Sequence, residues 1–184
     1  MIAAVLTASV PGSMVMGEEL SPHTRLTTHD ARMVWIVDPL DGTTNFLHSI
    51  PHFAISIGLE RAGEIIAGVV YDPIKEELFW AEKGIGCYLN DRRLRVSARR
   101  KLGESVVATG LTPRNRAKDT ERQEFVAQID RVVEATAGLR RFGSASLDLA
   151  YVAAGRFDAF WESELASWDI AAGICLVREA GGFV

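Results

Sequence analysis

Between Met33 and Lys83 the apolar residues come in short runs separated by turn formers. Residues 33–38 predict a short, β-branched buried strand. FAISIGLE (53–60), EIIAGVVYDP (64–73) and ELFWAEK (77–83) predict three more, divided by the turn signals RAG and DPIKE. CYLNDRRLRV (87–96) reads as a hairpin turning at Asn90-Asp91, and SVVATG (105–110) as another strand. Strands so closely spaced predict an antiparallel sheet. Beyond residue 118 the period changes. Phe125, Val126, Ile129, Val132 and Val133 fall at helical spacing, with Asp119 or Thr120 as a cap at the start and Gly138 at the end. Residues 144–155 predict a second helix and 156–162 an alternating strand. Residues 167–182 predict a third helix, capped by Ser167, stopped by Gly181-Gly182 and buried because it is apolar nearly all round.

The sum is an α+β, or layered αβ, protein. Its 184 residues fit one domain or two small ones and suffice for a real core. The apolar share of 48% and charged share of 24% are those of a globular chain. Net charge is −4, and the basic residues are scattered apart from Arg92, Arg93, Arg95 and Arg99–Lys101. That cluster is read as a solvated hairpin and linker rather than a nucleic-acid contact. Cys87 and Cys175 form no CxxC pair, which argues against a disulfide framework or thiolate metal site and for a reducing cytoplasm. The opening MIAAVLTASVPGSMVM lacks a basic lead and is broken by Pro11 and Gly12, so it is not read as a targeting segment. No stretch has the length to span a bilayer. The last residues, AGGFV, read as the start of a strand with no polar tail, which predicts a fragment.

The densest chemistry lies in VDPLDGTTN, residues 37–45. Asp38 and Asp41, with Asp169 at the start of the last helix and Glu18 in MGEEL, make a candidate set of carboxylates. Oxygen ligands without a nearby His or Cys select hard cations such as Mg²⁺ or Mn²⁺. Pro39 stiffens the turn and leaves the Leu40 carbonyl as a further oxygen ligand. Gly42-Thr43-Thr44 could bring free N–H groups to a phosphate, and the Thr43 hydroxyl could orient a water. Plainer readings compete: Asp beside Pro or Gly is ordinary turn chemistry, Asp169 is ordinary helix-start complementarity, and Glu18-Glu19 is solvated surface. His23, His29, His48 and His52 lack ligand spacing, and the four tryptophans read as core or core-edge residues.

WIVDPLDGTTNF followed at a distance by WDIAAGICLVREAGG closely resembles the two signature segments of the inositol monophosphatase family. The resemblance runs from Met16 onward. It implies a layered αβαβα sandwich over a single domain spanning 1–184: 1–16 atypical, 17–110 mainly sheet with the metal site, 111–184 helices and the second part of the sheet. It implies a lithium-sensitive phosphatase using two or more Mg²⁺ ions, with Mn²⁺ as a substitute. Glu18, Asp38, Asp41, Asp169 and the Leu40 carbonyl match the family's metal ligands. Gly42 and Thr43 match the phosphate contacts, with Glu18 and Thr43 aligning the nucleophilic water. Gly143, Ser144, Ala145 and Glu162 match positions lining the alcohol part of the substrate, Asp169 among the substrate contacts. The implied substrate is a small phosphate monoester, inositol 1-phosphate first. Histidinol phosphate, a sugar bisphosphate or a nucleotide phosphate is the nearest alternative, and a non-catalytic or regulatory remnant is another. The implied setting is cytoplasmic, without membrane or nucleic acid, and a homodimer. Family members carry helices and a strand ahead of the GEE segment and further strands and a helix beyond AGGFV. The chain is therefore read as truncated at both ends, with sheet edges left open to aggregation.

Overall fold

The computed structural model describes residues 1–19, 33–111 and 119–184; His23 and His29 lie outside them. Ten strands are described: β1 (Met14–Gly17), β2 (Val34–Asp41), β3 (Ala54–Arg61), β4 (Glu64–Asp72), β5 (Glu77–Glu82), β6 (Gly86–Leu89), β7 (Arg92–Arg93), β8 (Val106–Thr109), β9 (Gly138–Arg140) and β10 (Ala159–Trp161). Five helices accompany them: α1 (Ile2–Ser9), α2 (Thr43–Leu47), α3 (Asp119–Ala135), α4 (Ala145–Ala153) and α5 (Ser167–Glu179). The fold is the α+β arrangement the sequence predicts.

Strands β1 to β7 form one sheet in chain order. From β2 to β7 every pairing is antiparallel, as alternation along short strands suggests. Three expectations need correction. Residues 1–16 supply α1 and most of β1, and β1 runs parallel to β2. Residues 105–110 leave the large sheet: β8 is the middle strand of a second, wholly parallel sheet, ordered β10-β8-β9. Residues 180–184 contain no strand, and α5 already ends at Glu179. The long amphipathic helix also differs in detail, since it stops at Ala135 and Gly138 opens β9. Of its predicted apolar face only Phe125, Ile129 and Val132 are half-buried; Val126 and Val133 stand exposed.

The layers run from large sheet to α4 and α5, then to the small sheet, with α3 against β9. Helix α5 sits unusually close to the large sheet because small residues meet there. Gly58 on β3 and Gly68 on β4 face each other in register. A Cβ on Gly58 would fall 2.8 Å from the Ala171 side chain, and one on Gly68 2.6 Å from the Ala172 carbonyl oxygen. On its other side Gly173 lies against Leu149 of α4, where a Cβ would approach Cδ1 to 2.4 Å. The core follows this seam: Ala54, Val70, Phe79, Leu147 and Leu176 are wholly buried between sheet and helices. Truncating Leu176 to alanine would cost about 2–5 kcal/mol. Helices α4 and α5 thus form one block, locked to the strands that carry the acidic bend. Among the described residues no helix is long and apolar enough to cross a membrane. Cys87 and Cys175 are free and buried.

Candidate active site

The site is built where β1 and β2 end together. Gly17 lies opposite Val37, so the chain leaves β1 at Glu18 level with Asp38. Only glycine fits at 17, since a Cβ would sit 2.2 Å from the Val37 carbonyl oxygen. Past Asp38 the register with β3 slips and resumes at Asp41, opposite Ala54. This bulge gathers both aspartates at one corner. Asp38 is 2% exposed, and its Oδ1 accepts the Leu40 N–H at 2.9 Å, closing the turn around Pro39. The Asp38 carboxyl is pushed up to about 7, mainly by burial, with Asp41 adding to the rise, the Leu40 N–H opposing it, and Glu18 and Asp169 contributing smaller upward pushes. Acids from three separate stretches of the chain therefore act on Asp38 at a single corner.

Gly42 takes φ +90°, the left-handed conformation that opens α2. The Thr43 hydroxyl donates to the Leu40 carbonyl at 3.0 Å, so the expected ligand oxygen carries one hydrogen bond and keeps a second lone pair. Buried Asn45 ties this turn to a remote loop through Nδ2, which donates to the carbonyls of His52 and Phe142, each at 2.8 Å.

The remote loop leads into α4, whose start faces Asp41. Asp41 Oδ2 accepts hydrogen bonds from Ser144 Oγ at 2.6 Å, Ser146 N at 2.8 Å and Ser146 Oγ at 2.5 Å. The Ser144 hydroxyl, expected at the alcohol part of a substrate, is committed to Asp41 instead. Gly143 and Ala145 do line the cavity beside it. Asp169 enters from the first turn of α5, where its Oδ2 accepts the Ala166 N–H at 2.7 Å. The cap at this helix start is therefore Asp169 on Ala166, not Ser167. Asp169 thus completes the helix start and also lines a cavity with Asp41.

A cavity of about 210 Å³ joins these parts, lined by Asp41, Asp169, Glu162, Arg141, Gly143 and Ala145 among others. Glu162 follows β10 and lies over Gly110, where a Cβ would fall 1.9 Å from either of its carboxylate oxygens. Burial raises the Glu162 carboxyl to about 7; Arg141 pulls it down, and Asp41 and Asp169 push it up. Among the described residues Arg141 is the one cation lining the cavity. Of the expected site residues Asp41, Gly143, Ala145, Glu162 and Asp169 line this cavity, and the Ser144 hydroxyl donates to Asp41. Sequence reasoning missed Asn45, Arg141, Ser146 and Asp148. Their signals are single polar residues in RFGSASLDL and TTNF, which no periodicity marks.

The donors are all oxygens, the chemistry that suits a hard divalent ion. Among the described residues no group of three or more His, Cys, Asp or Glu side chains already stands arranged to enclose an ion. The three aspartates each give one oxygen to a protein donor in this arrangement.

The sequence matches the inositol monophosphatase family over residues 1–184. An inositol-1-monophosphatase of Rhizobium meliloti (strain 1021) is 59% identical over 149 residues, which cover 81% of this chain and 55% of that protein. The Nus factor SuhB of Pseudomonas aeruginosa is 48% identical over 183 residues, covering 100% of this chain and 67% of that protein. A crystal structure of the extragenic suppressor protein suhB from Bartonella henselae superposes with a TM-score of 0.90 at 51% identity, over 99% of this chain and 67% of that one. The chain spans 55% to 68% of the length of three inositol-1-monophosphatases that it matches. Sequence, fold and the grouped acids agree: the chain belongs to the inositol monophosphatase family.

Proposed function

We propose that this chain is a Mg²⁺-dependent phosphomonoesterase that hydrolyses inositol 1-phosphate to inositol and phosphate. The observation that carries the reading is Asp38, a buried carboxyl whose pKa is raised by burial and by three acids from separate elements. Glu18, Asp38, Asp41, Asp169 and the Leu40 carbonyl would hold two or more Mg²⁺ ions, with Mn²⁺ as a substitute and lithium as an inhibitor. Bound there, such ions supply positive charge for the leaving oxygen and lower the pKa of a water. The backbone N–H groups of Gly42 and Thr43 hold the phosphate at the left-handed turn. The Thr43 hydroxyl and Glu18 orient the attacking water. Glu162 accepts from hydroxyls of the alcohol, while Gly143 and Ala145 leave room for it. The same reading includes a single domain over 1–184, a cytoplasmic setting and a homodimer.

The name inositol-1-monophosphatase on several relatives favours an inositol phosphate over histidinol phosphate, a sugar bisphosphate or a nucleotide phosphate. Phosphate release measured over that panel with Mg²⁺ tests the choice. Equal kcat/KM for inositol 1-phosphate and histidinol phosphate would overturn it. Other relatives are named Nus factor SuhB, which favours a second, regulatory reading. A folded chain without Mg²⁺-dependent turnover on any phosphate monoester would support that one.

A further inference from the structure

Asp41 receives three hydrogen bonds on one oxygen, and they come from residues 103 to 105 positions further along the chain. A carboxylate oxygen offers about two lone-pair directions. Three donors at 2.5 to 2.8 Å therefore saturate Oδ2. The donors are out of water, with Ser144 1% and Ser146 0% exposed. Such bonds to a charged acceptor are short and roughly twice as strong as neutral ones. Asp38, by contrast, has a single backbone N–H on Oδ1.

The geometry points to Ser146, with Ser144 beside it, as the positioning residues that turn Asp41 so that only Oδ1 faces the site. This rests on the reading of Asp41 as an ion ligand. Asp41 then contributes one oxygen and one direction. Ser146 is the stronger of the two because it donates twice, from its hydroxyl and from its backbone N–H. The backbone donor is one of the N–H groups that the start of α4 leaves without a helical partner, so Asp41 completes that helix from outside. Helix α4 is also locked to α5 through Gly173 and Leu149, and α5 carries Asp169. One rigid block thereby fixes the direction of Asp41 and the position of Asp169 together. Without the two hydroxyls the carboxylate could rotate about its last torsion and present either oxygen. A ligand so freed binds its ion more weakly, and loss of such orienting partners costs about 10- to 100-fold in affinity.

The test is calorimetric titration of Mn²⁺ into the metal-free full chain, with no substrate present. S146A is expected to raise the Mn²⁺ dissociation constant about 10-fold or more, and S144A/S146A further still. At saturating metal kcat of S146A should return towards the parent value, since the side chains proposed to touch substrate are intact. S105A removes another buried serine hydroxyl, one that donates to the Lys101 carbonyl at 3.3 Å far from the acids, and should leave Mn²⁺ affinity unchanged. Mn²⁺ binding by S146A within twofold of the parent would overturn the inference while leaving the proposed function standing. Failure of the parent chain to bind Mn²⁺ or Mg²⁺ would overturn both. Should S146A be recovered unfolded, S144A carries the test, with a severalfold loss expected and an unchanged dissociation constant overturning the inference.

Discussion

Two buried carboxyls lie on either side of the first turns of α4, and the fold treats them in opposite ways. Asp41 comes from the bend outside the helix, is 8% exposed and receives three donors on one oxygen. Asp148 belongs to the helix itself and is 1% exposed, and its Oδ1 has no hydrogen-bond partner. Its backbone N–H is already used within the helix, on the Ser144 carbonyl. The Asp148 carboxyl is pushed up to about 8, mainly by burial, with Asp41 and Glu162 adding to the rise and Arg141 opposing it. Burial alone thus does not decide the fate of an acid. Asp41 meets the open N–H groups of a helix start and is hydrogen-bonded there, whereas the Asp148 carboxyl, placed inside the helix, is pushed up by burial.

The largest expected effect separates the two by activity. Asp41→Asn should lower Mg²⁺-dependent phosphate release by on the order of 10²–10³-fold, the scale of removing one group that stabilises charge in a transition state. Asp148→Asn keeps the shape and neutrality of the group it replaces, and should leave kcat/KM within severalfold. Steady-state assays of both variants on inositol 1-phosphate check the contrast. Equal losses would mean that Asp148 also touches the reacting groups.

Stability should separate them the other way. Asp148 has a folded-state pKa of about 8 against the 3.8 of a free aspartate. Between those values it is protonated when folded and ionised when unfolded, so unfolding releases a proton. Its contribution to stability is fully present below about pH 4 and is lost as pH rises through about 8. Asp148→Asn should therefore match the parent at pH 4 and exceed it at pH 9 by about 1–3 kcal/mol, the usual cost of a buried unsatisfied group. Urea unfolding of the metal-free protein at both pH values measures this. A variant less stable at pH 9 would show that Asp148 has a donor after all.

The difference between these two acids could not be read from the sequence, although much around them could. The strands from β2 to β6 were legible because their apolar runs are separated by strong turn signals such as Arg61-Ala62-Gly63 and Asn90-Asp91. The acids were legible because Pro39, Gly42 and the hydroxyls crowd around them, and because WDIAAGICLVREAGG accompanies them. Strand β1 was not: Met14-Val15-Met16-Gly17 has no alternation, and its partner begins at Val34. In the small sheet β8 and β10 were legible as strands, but β9 and the parallel pairing were not, because β9 has only three residues and a parallel pair needs a long crossover that leaves no local mark. Ser146 escaped for a related reason, since a hydroxyl and an N–H at a helix start acquire their meaning only from Asp41, far earlier in the chain.

Asp38 lies between the two extremes, with one donor and a pKa near 7, and proton competition should reveal it. An ion must displace whatever proton Asp38 carries. The Mn²⁺ dissociation constant of the parent should rise as pH falls below 7, by up to about tenfold per unit for a single proton. Titrations between pH 5.5 and 8 in non-chelating buffers would show this. A flat profile would mean that Asp38 is ionised in the metal-free protein and more solvated than its burial implies.

The smallest effect concerns Arg141, the cation that faces Asp148 and Glu162 from the cavity wall. It lowers both of their pKa values through charge alone, with no ion pair to either within 4 Å. Arg141→Gln removes that charge from an exposed position, so the fold should tolerate it to within about 0.5 kcal/mol. The carboxyl signals of Asp148 and Glu162, followed by ¹³C NMR against pH, should both move to higher midpoints. Midpoints unmoved at both would show that the Arg141 charge does not reach them, and the contrast between the two faces of α4 would rest on hydrogen bonds alone.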